Sequence, residues 1–363
     1  MKRIIVISAI NIFEGGALSI LKDCLNYLDE NMSENYSIFS FVHNTSLLNV
    51  KNITLIEVPK SRRSYIYRLY YEYIWFYYES RKLQPYLWLS LHDITPNVKA
   101  NIRSVYCHNP SPFYKISIKE FLLEPSFGFF NLFYILLYKI NLNKNRYVVV
   151  QQNWLRDSFM NILNSRAEII VAPPNITISE SQKVCKKETS KKTIFFFPSL
   201  PRVFKNFECL CDASKLLSEE NLDFEVHITI SGNENKYAKQ LFKKYCGVSQ
   251  IKFLGLLSRE EVFTIYQQCD AIVFPSKLET FGLPITEAKA FNKSILLADL
   301  PYAHETIGNY SKVSFFDPNS SKQLAKLMKA KITNEIVCDG NSLSPIPAPL
   351  GNNWAEVFNL LLK

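Results

Sequence analysis

The run Ala271-Ile272-Val273-Phe274, followed by Pro275-Ser276-Lys277-Leu278-Glu279-Thr280-Phe281-Gly282-Leu283-Pro284-Ile285-Thr286-Glu287-Ala288, decides how this chain is built. Four consecutive apolar residues ahead of a Pro-Ser turn read as a buried strand. Pro284 suits the first turn of a following helix, where its missing N–H costs nothing. Strand, loop and helix then place Glu279 in the connecting loop and Glu287 one turn inside the helix. Free backbone N–H groups at a helix start and in a Gly-containing loop form an anion site. A phosphate-bearing ligand fits there, with one carboxylate near each of its ends, each able to accept from vicinal hydroxyls.

Outward from this stretch, short apolar runs alternate with helix-like segments along the whole chain, which predicts an α/β architecture. In the first half the expected strands begin at Ile4, Ser37, Ile53, Tyr86, Ser104, Tyr147 and Ile169; in the second they begin at Thr193, Val226, Ile251, Ala271, Ser294 and Val313. The texture changes between them. Ala172-Pro173-Pro174-Asn175 stops regular structure, and Ser179 to Lys192 is polar, lysine-rich and without apolar periodicity. The expected organisation is a first domain over residues 1–175, a linker over 176–192 and a second domain over 193–351. A chain of 363 residues suffices for two cores.

The stretch from Pro275 to Ala288 resembles the E-x7-E signature of retaining glycosyltransferases of family four, the glycosyl transferases group 1. The resemblance implies the GT-B fold: α/β, two facing doubly wound Rossmann-like domains with a cleft between them, and a last helix (352–363) packing back on the first domain. It implies that Glu279 lies beside the donor sugar and stabilises charge at its anomeric carbon. Glu287 is implied to hold the ribose hydroxyls of a nucleotide sugar, and Phe281, Gly282 and Leu283 to cradle the sugar with their backbone. Ser314-Phe315-Phe316-Asp317-Pro318 is similar to the family's late Y-F-D-P element.

Three further loops carry candidate chemistry. Ser199-Leu200-Pro201-Arg202-Val203-Phe204-Lys205-Asn206 follows the first strand of the second half. The resemblance implies that Lys205 and Arg202 hold the donor diphosphate, although Arg202 stands closer to Lys205 than the commonest family spacing. Two cations there would offset charge growing on the leaving group. Gly15 and Gly16 follow the first strand and precede a helix; at the carboxyl end of a parallel strand, glycines let a backbone approach a ligand closely. The loop is not G-x-G-x-x-G, so a bound dinucleotide is not expected. His108 and Asn109, in Cys107-His108-Asn109-Pro110, stand at another strand end and resemble the family's segment that reaches toward the transferred sugar.

Composition narrows the remaining classes. The eight cysteines show no C-x-x-C pair, which fits reduced thiols in a cytosolic protein. Met1-Lys2-Arg3 runs straight into Ile4-Ile5-Val6-Ile7-Ser8, too short for a signal-peptide core, and no apolar run is long enough to span a bilayer. There is no D-x-D triplet or His/Cys cluster at ligand spacing, so neither a metal nor another cofactor is expected. The net charge is +9, and residues 60–120 hold ten Lys or Arg against four Asp or Glu. That region also holds the Tyr-rich run from Tyr65 to Tyr78. Basic residues beside aromatics suit an anionic membrane surface, and a packed helix with solvated charges is the equal alternative. No recognised nucleic-acid module accompanies them, so no nucleic-acid partner is expected.

The expectation is therefore a metal-independent retaining glycosyltransferase. Its donor is a nucleotide sugar, and its acceptor a lipid-linked glycan, a polyprenyl-diphosphate oligosaccharide of bacterial surface polysaccharide. Its place is the cytoplasm or the inner face of the cell membrane. The alternative is a non-catalytic nucleotide-sugar-binding regulator of the same fold.

Overall fold

The computed structural model describes residues 2–174 and 192–363. The expected linker falls almost wholly on 175–191, outside the described residues. Among the described residues there are thirteen strands, every one at an apolar run predicted from sequence. Seven make one parallel sheet: β1 (Arg3–Ala9), β2 (Tyr36–Val42), β3 (Ile53–Glu57), β4 (Leu87–Ser90), β5 (Ile102–Cys107), β6 (Tyr147–Val150) and β7 (Glu168–Val171). Six make another: β8 (Thr193–Phe197), β9 (Phe224–Ile228), β10 (Ile251–Phe253), β11 (Ala271–Phe274), β12 (Ser294–Ala298) and β13 (Val313–Phe316).

The strand orders are β3-β2-β1-β4-β5-β6-β7 and β10-β9-β8-β11-β12-β13. Each chain half winds outward from its first strand, then crosses that strand and winds the other way. The reversal lies between β1 and β4 in one sheet and between β8 and β11 in the other. Loops leaving the carboxyl ends of such a strand pair diverge and leave a crevice, where open α/β sheets bind ligands. Both units thus have the doubly wound Rossmann-like form.

In the first sheet the period of two is visible in β1 itself. Ile5, Ile7 and Ala9 face one core, covered by Leu21, Leu25 and Leu28 of the helix Gly15–Asn31. Val6 faces the other, with Phe41, Trp88 and Phe76. Both faces of a parallel sheet must be covered, and the near-continuous apolar runs of its strands follow from that.

The two compact units are Met1–Phe113, Leu132–Asn175 and Ile346–Lys363 on one side, and Tyr114–Asn131 with Ile176–Pro345 on the other. Two segments therefore group differently from a simple division at the linker. Residues 114–131 belong with the second unit, because Phe127 packs on Phe204 at 5.1 Å between ring centroids and the Glu124 carboxylate accepts the Val203 N–H at 3.2 Å. Residues 346–351 belong with the first unit. Arg156 donates to the carbonyls of Pro347 and Pro349 at 2.8 and 2.6 Å, and Gly351 N donates to Val171 O at 2.9 Å. That chain segment covers the free edge of β7.

The final helix, Trp354–Leu361, starts at Asn353, whose side chain accepts from the N–H of Glu356. It sends Val357, Phe358 and Leu361 into the core beneath β1, with Phe358 stacked on Tyr27 at 5.9 Å. Phe358→Ala should destabilise the first unit by about 3–5 kcal/mol, the usual cost of an aromatic deletion in a core. All four tryptophans (75, 88, 154 and 354) lie in that unit, so tryptophan fluorescence during urea unfolding reads it alone. An unchanged midpoint would show that the helix contributes nothing to the core.

Candidate active site

The second unit carries the larger set of candidate residues. β8 and β11 are neighbours, and the loops after them rise from adjacent carboxyl ends. The first loop ends in a short 3-10 turn, Val203–Lys205; the second carries Glu279. Lys205 Nζ and Glu279 Oε1 meet at 2.5 Å, with side chains only 16% and 13% exposed. Two expected site residues 74 positions apart in sequence are thus joined in a charge-assisted, half-buried bond.

Asn206 fixes this geometry. It adopts the left-handed conformation (φ 58°, ψ 41°), which ends the turn at Lys205 and opens the helix Phe207–Ser218. Asparagine tolerates that region better than other non-glycine residues. Its side-chain amide donates to Pro275 O at 3.1 Å and to Pro318 O at 2.7 Å, and it is almost fully buried. Lys277 N donates to Phe204 O at 2.7 Å, a second tie between the same two loops. The loops after β8, β11 and β13 are therefore held as one body. Sequence reading noted Asn206 as the neighbour of Lys205 but gave it no role; only the fold brings Pro275 and Pro318 to it.

Gly282 opens the helix Leu283–Ala290 at φ +81°, and a Cβ there would stand 3.0 Å from Ile285 Cδ1. The conformation requires glycine, and the space beside it is tight against the end of the Ile285 side chain. The Phe281 carbonyl accepts from the Thr306 hydroxyl, which orients the peptide before the glycine. Leu283 is exposed. Pro284 stands in the first helical turn, as its position in the sequence predicts.

Glu287 lies half-buried one turn into that helix. Its Oε2 accepts from the Tyr266 hydroxyl at 3.1 Å. Burial raises its pKa above the usual carboxylate range, while the Tyr266 hydrogen bond and the Arg259 charge pull the other way. Tyr266 is itself buried, stacked on Phe291 at 5.4 Å, and burial pushes its phenol well up, so it stays a donor. Nothing in the sequence pointed to Tyr266, which comes from a helix packed beneath.

Arg202 takes a different partner from Lys205. Its guanidinium pairs with Glu124 and lies over the rings of Phe127 and Phe204 at 5.4 and 5.6 Å. At 42% exposure it can exchange that partner for an anion.

The first unit holds the other candidates. Gly15 and Gly16 are exposed at the start of the helix after β1, Gly15 at φ +67° with no heavy atom within 4 Å of a built Cβ. No side chain caps that helix start, so its first N–H groups are uncapped donors. His108 follows β5. Its Nε2 stands 2.7 Å from Leu91 O, which can only accept, so Nε2 carries the proton and Nδ1 faces the Gln151 amide at 3.3 Å. The ring stacks on Tyr106 at 4.6 Å, and burial lowers its pKa. The imidazole is therefore neutral near pH 7 and brings hydrogen-bonding capacity rather than charge.

Asp93, which sequence reading passed over, holds the His108 loop in place. Its carboxylate accepts the N–H groups of His108 at 2.6 Å and Asn109 at 2.9 Å, and it sits at φ +76°, strained for an aspartate. The Asn109 carbonyl accepts from the Tyr138 hydroxyl at 2.8 Å, while its amide nitrogen is buried without a partner among the described residues. Among the described residues no three His, Cys, Asp or Glu side chains come together as metal ligands.

Residues 177–341 match the family model of glycosyl transferases group 1. Over 230 residues the chain is 24% identical to the O-antigen chain mannosyltransferase RfbU of Salmonella typhimurium, covering 62% of this chain and 60% of that protein. Over 161 residues it is 28% identical to O-antigen chain mannosyltransferase C of Escherichia coli, covering 43% and 42% of the two chains. The chain thus aligns with less than two thirds of the length of either relative. Among solved structures, the lipopolysaccharide outer core galactosyltransferase WaaB superposes with a TM-score of 0.62 at 12% identity, over 93% of this chain and 92% of that one. Anabaena HepE, solved with UDP-glucose, gives 0.58 at 13% identity, over 91% and 90%. The likeness is one of fold: two Rossmann-like units of the GT-B class. The match to the glycosyl transferases group 1 model spans residues 177–341, just under half of the chain.

Proposed function

We propose that this protein is a retaining, metal-independent glycosyltransferase that moves a hexose from a nucleotide-diphosphate sugar to a lipid-linked glycan of bacterial O-antigen. Mannose is the first sugar to test, since both curated relatives named above are O-antigen mannosyltransferases. The observation that carries the reading is the Lys205–Glu279 pair at the reversal point of the second sheet, with Glu287 in the helix that follows.

The donor diphosphate takes Lys205 from Glu279, so the ammonium charge lies where negative charge grows as the nucleoside diphosphate leaves. Such a contact strengthens toward the transition state and raises turnover rather than affinity. Glu279, released from its cation, faces the sugar and stabilises positive charge at the anomeric carbon. Glu287 accepts from the ribose hydroxyls, and Arg202 joins the diphosphate by exchanging Glu124. Phe281, Gly282 and Leu283 offer backbone to the sugar. Gly15, Gly16 and Asn109 in the first unit serve the acceptor or its phosphate. His108 contributes a neutral hydrogen-bonding side chain or its backbone, not a charge. No protein nucleophile is assigned; the departing phosphate accepts the acceptor's proton, and attack from the same face retains configuration.

Calorimetry with UDP, GDP, ADP and dTDP and their sugars should find one preferred nucleotide. Glu287→Ala should weaken that binding by about 1.5–3 kcal/mol, roughly 10- to 150-fold, if charge-assisted bonds to ribose are lost. Unchanged affinity in the folded variant would remove Glu287 from the site. Lys205→Ala should cut turnover far more than nucleotide affinity, and wild-type turnover would sink the leaving-group role.

A pH dependence follows from Tyr266. Protonating Glu287 removes an acceptor for the ribose, so affinity should fall as pH drops through its raised pKa. The Tyr266 hydroxyl holds that pKa down. Tyr266→Phe should therefore move the loss of affinity to higher pH, read as nucleotide Kd across the acidic to neutral range beside wild type. Superimposable profiles would mean that Glu287 does not titrate in the binding step.

A further inference from the structure

The helical run after β3 has two unlike faces. It passes through Tyr65–Tyr70, a π-helical turn Tyr71–Trp75 and Phe76–Leu83 without a break. Nineteen residues at a helical rise of about 1.5 Å give a rod of roughly 28 Å. Arg68, Glu72, Phe76 and Ser80 point inward and are buried. Two positions away from each stand Ile66, Tyr70, Ile74 and Tyr78, which are 80%, 45%, 50% and 58% exposed. In a pure α-helix a four-residue repeat drifts by about 40° per step; the wider π turn takes the drift back, so both stripes stay straight.

The inner stripe is accounted for. Phe76 packs with Phe41 and Trp88, and the buried Arg68 donates to His92 O at 3.0 Å. The outer stripe is apolar and aromatic, and Tyr65, Tyr67 and Leu69 widen it. Exposed cations stand at both ends: Lys60, Arg62 and Arg63 before it, Arg81 and Lys82 after it. Of the acids in the same span, Glu72 is buried, and Glu79 is bound to Lys82 at 2.7 Å. The exposed face is thus a tyrosine-rich apolar strip between two cationic ends.

We infer that this face lies flat on an anionic lipid bilayer, with the tyrosines at headgroup depth and the Arg and Lys side chains on the lipid phosphates. Tyrosine is amphipathic in the manner that the bilayer interface favours, and long basic side chains cover apolar surface while keeping their charge in the polar layer. A helix with one core face and one such face attaches in the interface plane rather than crossing it; among the described residues no helix is long and apolar enough to cross. A protein partner fits less well, because five exposed cations with one paired acid would need a strongly acidic counterpart. The contact goes beyond the transfer reading and holds whether or not that reading does.

The test is vesicle flotation of the full chain at low and high salt. One vesicle set is phosphatidylglycerol with phosphatidylethanolamine, the other phosphatidylcholine alone. Wild type should float with the anionic vesicles, and less at high salt. Ile66→Asn with Ile74→Asn should lower the partition coefficient at least about tenfold, and Arg62→Gln with Arg63→Gln and Arg81→Gln should do the same. All these positions are exposed; the urea midpoint read by tryptophan fluorescence checks that the first unit of each variant is folded, and nucleotide binding is the separate readout of the transfer reading. Absence of wild-type flotation at low salt would overturn the inference, including in favour of a soluble partner. So would flotation that the isoleucine variants leave unchanged, since charge alone would then explain it.

Discussion

One buried amide organises the candidate site. Loops at the carboxyl edge of a parallel sheet leave the ladder, and their peptide groups must find partners elsewhere. Asn206 supplies two of these at once, to Pro275 O and Pro318 O, and both prolines end runs that have just left a strand. Its left-handed backbone turns the chain sharply enough for Lys205 to precede and a helix to follow. Without this knot, only the Lys277 N–Phe204 O bond would tie the loops after β8 and β11, and the tie to Pro318 after β13 would be lost. The Lys205–Glu279 bond would then have to order its own scaffold, and a single ion pair rarely offsets that entropy.

The first unit uses the same strategy with a carboxylate in place of an amide. Asp93, at the end of the segment leaving β4, accepts two successive backbone N–H groups from the loop leaving β5. The tyrosines at 134 and 138 close in on the same carboxylate, each at 3.4 Å. In both units a short polar side chain in the left-handed region ties neighbouring strand ends. These two left-handed residues stand at the carboxyl edges of their sheets, the edge at which open α/β sheets generally bind ligands.

Legibility in the sequence follows the range of the forces. All thirteen strands could be read because parallel strands buried on both faces must be apolar nearly throughout, and that demand is local. The turn at Gly282-Leu283-Pro284 was equally local, since a positive φ and a helix start each select their own residue. Tyr266, Asp93 and the grouping of residues 114–131 were not legible. Each depends on a partner far away in sequence: a glutamate in another helix, amides beyond a strand, and a phenylalanine at 204. The Tyr65–Tyr78 run was half legible. Its composition announced aromatics beside cations, but which rings faced the core depended on the π turn, which no local pattern marks.

The two glutamates of the central stretch show why spacing alone says little about role. Glu279 and Glu287 are identical side chains eight positions apart, yet their surroundings differ in kind. Glu279 meets the Lys205 ammonium group in an ion pair largely shielded from solvent. Glu287 meets a phenol and a buried helix face, so burial wins over its hydrogen bond and its pKa rises. A carboxylate that already takes a neutral hydroxyl donor has the accepting oxygens that recognition of hydroxyls requires. A carboxylate held in an ion pair suits a place where charge is exchanged. Environment, not spacing, distinguishes the two carboxylates.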